Sequence, residues 1–161
     1  MNIRGTTGKN PETRKRERDV IDSVIPRERV QKAINHQIPD RVPIDLGGFQ
    51  TGIHKKAYKD LIEIGVDILN PVQTSANNMD PKALKEKYGD QIVFWGGGID
   101  SQHILPFADP DQVRDEVRKN LDIFKPGGGY VFNNIHNIQA GISPENIVAL
   151  YDAAYDFGSY E

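Results

Sequence analysis

The chain has 161 residues, of which 37% are hydrophobic and 27% charged, with a formal net charge of −3 and no cysteine. This length fits one domain with a real core, and the negative balance argues against a general nucleic-acid binder. Without cysteine there are no disulfides, thiolate nucleophiles or cysteine-ligated zinc, haem or iron–sulfur sites.

No apolar run approaches the ~20 residues needed to span a bilayer, and the N-terminus lacks the apolar core of a secretory signal. The expectation is a cytoplasmic protein with no nucleic-acid or membrane partner. In chain order, residues 1–22 read as a polar tail and residues 23–161 as one domain. The basic run Arg14-Lys-Arg-Glu-Arg18 is broken by an acid and reads as a solvated segment. A helix is predicted over residues 26–35, with Val30, Ala33 and Ile34 at i, i+3, i+4. Two prolines keep residues 36–43 extended, and residues 42–44 can begin a strand that Pro43 confines to an edge or an entry. Leu46-Gly-Gly48 breaks this stretch, and a second helix is predicted over residues 52–64, with Ile53, Ala57, Leu61 and Ile64 on one face.

From Gly65 onward three strand–loop–helix units follow. The strands are predicted at residues 66–70, 92–95 and 130–133. The helices are predicted at Pro81–Tyr88, Pro110–Phe124 and residues 144–156, each opened by Asp-Pro or Ser-Pro, a capping residue followed by a proline that loses no needed hydrogen bond. Strands alternating with helices imply a parallel sheet, and the chemistry of such sheets lies where the strands end. Those ends carry Asn70-Pro-Val-Gln73, Gly96-Gly-Gly-Ile-Asp-Ser-Gln-His103 and Asn133-Asn-Ile-His-Asn-Ile-Gln139. His136 can donate to a carboxylate or exchange a proton near neutral pH; otherwise it caps a loop carbonyl or packs on Gln139. Gly96, Gly97 and Gly98 let backbone N–H groups approach a ligand before Asp100 and Gln102, yet no Walker loop follows. Asn70 and Gln73 can bond a polar ligand or tie their loop. Asn134 accompanies His136. His36 and His54 read as surface residues, His103 as a loop or packing residue, and Trp95 as packing at a strand end.

A segment near the N-terminus, Arg27-Glu-Arg-Val-Gln-Lys-Ala-Ile-Asn-His-Gln-Ile-Pro-Asp-Arg-Val-Pro43, resembles the start of the uroporphyrinogen decarboxylase family. Ile68-Leu-Asn-Pro-Val-Gln73, Phe94-Trp-Gly-Gly-Gly-Ile-Asp100, His136-Asn-Ile-Gln139 and Ser143-Pro-Glu-Asn146 resemble its C-terminal third. The family forms a (β/α)8 TIM barrel and includes the haem-pathway decarboxylases and corrinoid-dependent methyltransferases. The resemblance implies an α/β fold that is a partial barrel: the last three βα units plus N-terminal helices. Its substrate would be a small molecule: a tetrapyrrole, decarboxylated at porphyrinogen acetate side chains without metal or cofactor, or, in the alternative reading of a corrinoid-dependent methyltransferase-like component, a methylated compound. His136 would be the catalytic contact, and Asn70, Gln73, Asp100, Gln102 and Asn134 would line the pocket.

The departures are specific. Asp45-Leu-Gly-Gly-Phe-Gln-Thr51 stands where the decarboxylases carry an arginine-rich signature, and the strand with their essential Asp is absent. The zinc methyltransferases need cysteines that this chain lacks, and His136 falls where the decarboxylases place a His. Three units of roughly 30 residues leave about five of eight missing. An internal deletion near Leu61–Ile64, fusing one barrel helix to another, would account for the gap. Open strand edges then make a homo-oligomer one expected outcome, and a non-catalytic fragment another.

Overall fold

The computed structural model describes residues 26–44, 57–63 and 65–160. The expected tail, the stretch from Asp45 to Thr51, His54 and the first part of the helix predicted over 52–64 lie outside the described residues. The elements are α1 (Pro26–Ile34), α2 (Tyr58–Glu63), β1 (Ile68–Val72), α3 (Pro81–Tyr88), β2 (Val93–Gly96), α4 (Pro110–Phe124), β3 (Tyr130–Val131) and α5 (Pro144–Phe157).

The helix starts follow the capping chemistry read from the sequence. Asp80 accepts from the Ala83 N–H at 2.8 Å, and Ser143 from the Asn146 N–H at 3.1 Å. At α4 the capping box is complete, with Asp109 accepting from the Gln112 N–H while the Gln112 side chain accepts from the Asp109 N–H. Two helices then bury the stripe their period dictates: Leu84 and Tyr88 on α3, and Val113, Val117, Leu121 and Phe124 on α4.

The three strands form a parallel sheet in the order β1-β2-β3. All three strands differ in their bounds from expectation, β2 by a shift of one residue. β1 runs to Val72 because Val72 still pairs with Gly96 beyond Pro71; the irregularity between Leu69 and Val72 absorbs the proline, which has no N–H to give the ladder. β3 is only two residues long, since Phe132 continues not in the ladder to β2 but in a parallel bridge to Ile44. The Phe132 N–H donates to Pro43 O at 2.7 Å. Residues 42–44 thus occupy the position beside β3, and four parallel strand positions lie in a row.

Alternation divides the sheet into two faces. Leu69, Phe94, Tyr130 and Phe132 point to the helices and join the main core with α3, α4 and α5. A run of rings crosses it, Tyr88–Tyr58–Phe94–Phe124–Tyr130, with centroids 5.1–6.5 Å apart. Ile68, Val93, Trp95 and Val131 point to the other face, where Ala33 of α1 packs on them. The architecture is α/β with a small parallel sheet and flanking helices, consistent with part of a barrel.

The N-terminal segment is locked on by paired groups. Arg29 makes a two-pronged bond to Asp40, both contacts 2.8 Å. Burial raises the Asp40 carboxyl, but the Arg29 bonds and charge outweigh it and hold its pKa below the usual range. Arg41 lies 3.9 Å above the Tyr155 ring of α5. His36, expected at the surface, is instead half-buried with its ring against Gly129. The three successive glycines Gly127, Gly128 and Gly129 all have positive φ, and the turn they make brings that backbone up against the ring.

Candidate functional site

The three strand ends are brought together at one end of the sheet. Gly97, with φ +72°, sits where a Cβ would meet Thr74 of the first loop, and the Gly98 N–H donates to Asn133 O of the third at 3.0 Å. Two buried asparagines fasten the middle loop to the helices. Asn120 of α4 donates to Gly98 O at 3.3 Å. Asn146 of α5 donates to Leu105 O and Ala108 O at 2.9 and 2.8 Å. The glycine run is therefore a close backbone crossing, not a free loop.

Asp100 serves this same loop. Its carboxylate accepts from the Gln102 N–H at 2.8 Å and the His103 N–H at 3.1 Å, and contacts His103 Nδ1 at 2.8 Å. Burial pushes the Asp100 carboxyl up, while these hydrogen bonds and the His103 charge bring it net below the ordinary carboxylate range. His103 is thus the partner of Asp100, and Gln102 is exposed.

Gln73 reaches Ser75 Oγ at 3.5 Å within its own loop. The His136 ring is exposed and meets Gln139 Nε2 at 3.2 Å and Asn137 O at 3.4 Å. Asn134 is buried, donates to His136 O, and accepts from the Tyr151 hydroxyl of α5 at 3.4 Å. Among the described hydrogen bonds, none joins His136, Asp100 and Gln73 to one another.

A different set shares the face away from the helices. Counting alternately from Ile68, Val93 and Val131 places Asn70, Trp95 and Asn133 on that face at the strand ends. The Asn70 Oδ1 is buried with no hydrogen-bond partner, and so is the Ser101 hydroxyl oxygen. A polar atom in that condition costs free energy unless something else bonds it. The two-residue period places Asn133, and not the expected pocket residue Asn134, on this face, beside Trp95, which the sequence reads as packing. Among the described residues no group of three or more His, Cys, Asp or Glu is placed to hold a metal ion, and no helix is long and apolar enough to cross a membrane.

The sequence profile of the uroporphyrinogen decarboxylase (URO-D) family matches residues 27–157. The chain belongs to the uroporphyrinogen decarboxylase family. Among curated relatives, the uroporphyrinogen decarboxylase of Methylococcus capsulatus is 32% identical over 78 residues, 48% of this chain and 21% of the relative. That of Thioalkalivibrio sulfidiphilus is 35% identical over 74 residues, 46% of this chain and 20% of the relative. That of a Janthinobacterium species is 32% identical over 101 residues, 61% of this chain and 26% of the relative. The chain thus spans a fifth to a quarter of the length of these relatives.

Proposed function

We propose that this chain carries one wall of a uroporphyrinogen decarboxylase-type pocket, acting on the acetate side chains of a porphyrinogen once the wall opposite is supplied. The observation that carries this reading is the family match over residues 27–157, which includes the segment at 42–44 docked beside β3 as well as all three βα units. In the reaction that family membership suggests, a pyrrole ring is protonated and becomes an electron sink. The bond to the side-chain carboxylate then breaks, its electron pair flows into the ring, carbon dioxide leaves, a proton returned to the methylene makes a methyl group, and the ring gives up the proton it first took. No cofactor is required for this sequence.

Asn70, Asn133 and Trp95 would line the interior, with the unpartnered Asn70 oxygen accepting from a pyrrole N–H. His136 and Gln73 would stand at the mouth, where exposed polar groups can meet substrate carboxylates. Asp100, Gln102 and Asn134 would shape the loops behind them. The internal deletion near Leu61–Ile64 belongs to the same proposal. It would have removed the strands between the segment at 42–44 and β1, leaving the chain unable to enclose a tetrapyrrole alone.

Trp95 is the single tryptophan, so its fluorescence reports directly on this face. Titration with uroporphyrin should quench it saturably, and Asn70→Ala should weaken the apparent affinity about fivefold to tenfold, the worth of one hydrogen bond. Anaerobic incubation with uroporphyrinogen, read as carbon dioxide release, tests the chemistry. Absence of both quenching and turnover, beside a full-length relative that shows both, would overturn the reading.

A further inference from the structure

We propose that two copies of this chain join edge to edge, as two half-barrels, to close one eight-stranded barrel. The pairing rests on strand geometry and not on the chemistry assigned to the pocket. Residues 42–44, β3, β2 and β1 stand side by side in that order, all parallel. Eight strands make the smallest barrel of this type whose interior side chains just fill, and each chain supplies four positions.

Both outer edges, among the described residues, leave room for a neighbour. Among the described residues, β1 has no ladder partner on the side away from β2. At the opposite edge, Val42 is met by the C-terminal segment through the Gly158 carbonyl and Arg41 bridges Ser159, but among the described residues Ile44 above them has no strand beyond it. Bridge partners point to the same face, so Ile44 lies on the helix side with Phe132. Phe132 is fully buried there, whereas Ile44 is 36% exposed. The cover Ile44 lacks is what the next strand of a barrel and its helix provide.

A two-fold axis along the strands keeps every strand parallel and brings β1 of one copy beside the 42–44 segment of the other, twice over.

Light scattering on the full chain after gel filtration should return twice the 18.1 kDa chain mass. Ile44→Asp should halve that mass, while circular dichroism shows the same helix content and melting as the parent. Since the chain has no cysteine, introduced pairs give a second readout: Ile44→Cys combined in turn with Asp67→Cys, Ile68→Cys or Asn70→Cys. Within one chain the two edges are three strand spacings apart, about 14 Å, beyond the ~7 Å Cα reach of a disulfide. Oxidation should therefore link two copies in a double variant and in no single variant. A single-chain mass for the parent protein would overturn the proposal. So would covalent dimers from single-cysteine variants, which would mean like edges meeting antiparallel, or a dimer that no cysteine pair can link. If Ile44→Asp melts early, the cysteine pairs decide.

Discussion

Lys85 shows how burial makes one side chain sensitive to pH. Its ammonium donates to Gly128 O at 2.8 Å, tying α3 to the glycine turn before β3, and burial lowers its pKa to about 8. In the unfolded chain the same lysine keeps its proton to the ordinary value near 10.5. Between those limits the unfolded chain binds the extra proton, so stability should rise with pH across that window. Tyr58, Tyr130 and Tyr160 act oppositely: burial raises all three phenols, Tyr160 to about 12. Their contribution is complete below pH 10 and is lost above it, as the unfolded phenols ionise first. Urea midpoints measured from pH 7.5 to 11 should climb and then fall, and Lys85→Met should remove the climb but keep the fall. Asn146 is a second test at this scale. Asn146→Leu would leave the Leu105 and Ala108 carbonyls without their donor, an expected loss of about 2–4 kcal/mol, readable as a lower melting temperature.

At the level of elements, capping residues and crossing glycines are separable. Asp109→Ala removes the capping box of α4 and should cost about 1 kcal/mol with the fold retained. Gly98→Ala is different in kind, because the new Cβ would run into the Phe132 ring, itself fixed between the sheet and the helices. An expected cost of about 1–3 kcal/mol should come with altered quenching of Trp95 by uroporphyrin, since the same crossing sets the strand ends. The helices were readable because caps, prolines and apolar stripes are local signals that agree with one another. The strand ends were less so. β1 passes its proline by an irregularity in the ladder, and β3 trades its second neighbour for the distant Ile44; a partner so far along the chain leaves no mark in local periodicity.

For the whole molecule, the N-terminal segment is held by groups that meet only in the fold. Arg41 stacks on Tyr155 and donates to Tyr155 O at 3.4 Å, and Lys125 donates to Phe157 O and Ser159 O at 3.0 and 3.1 Å. Arg41→Ala should loosen residues 40–44 from β3 and α5 at a cost of about 1–3 kcal/mol, visible as faster amide exchange at Phe132, whose N–H bonds Pro43. If two copies close a barrel through that segment, the same variant should also weaken the dimer.

The sequence by itself determined the α/β class, the order of the elements, the inward stripes of α3 and α4, and membership in the uroporphyrinogen decarboxylase family. These rest on short-range chemistry and on motifs that survive in the letters. Only the tertiary structure decided that residues 42–44 lie beside β3, that Asp100 is spent on its own loop, and that Asn134 turns under α5 while alternation gives Asn133 to the other face. Each of these depends on what a polar group meets across the sheet, and a carboxylate or amide carries no sign in the sequence of whether its partner will be a substrate or a neighbouring loop.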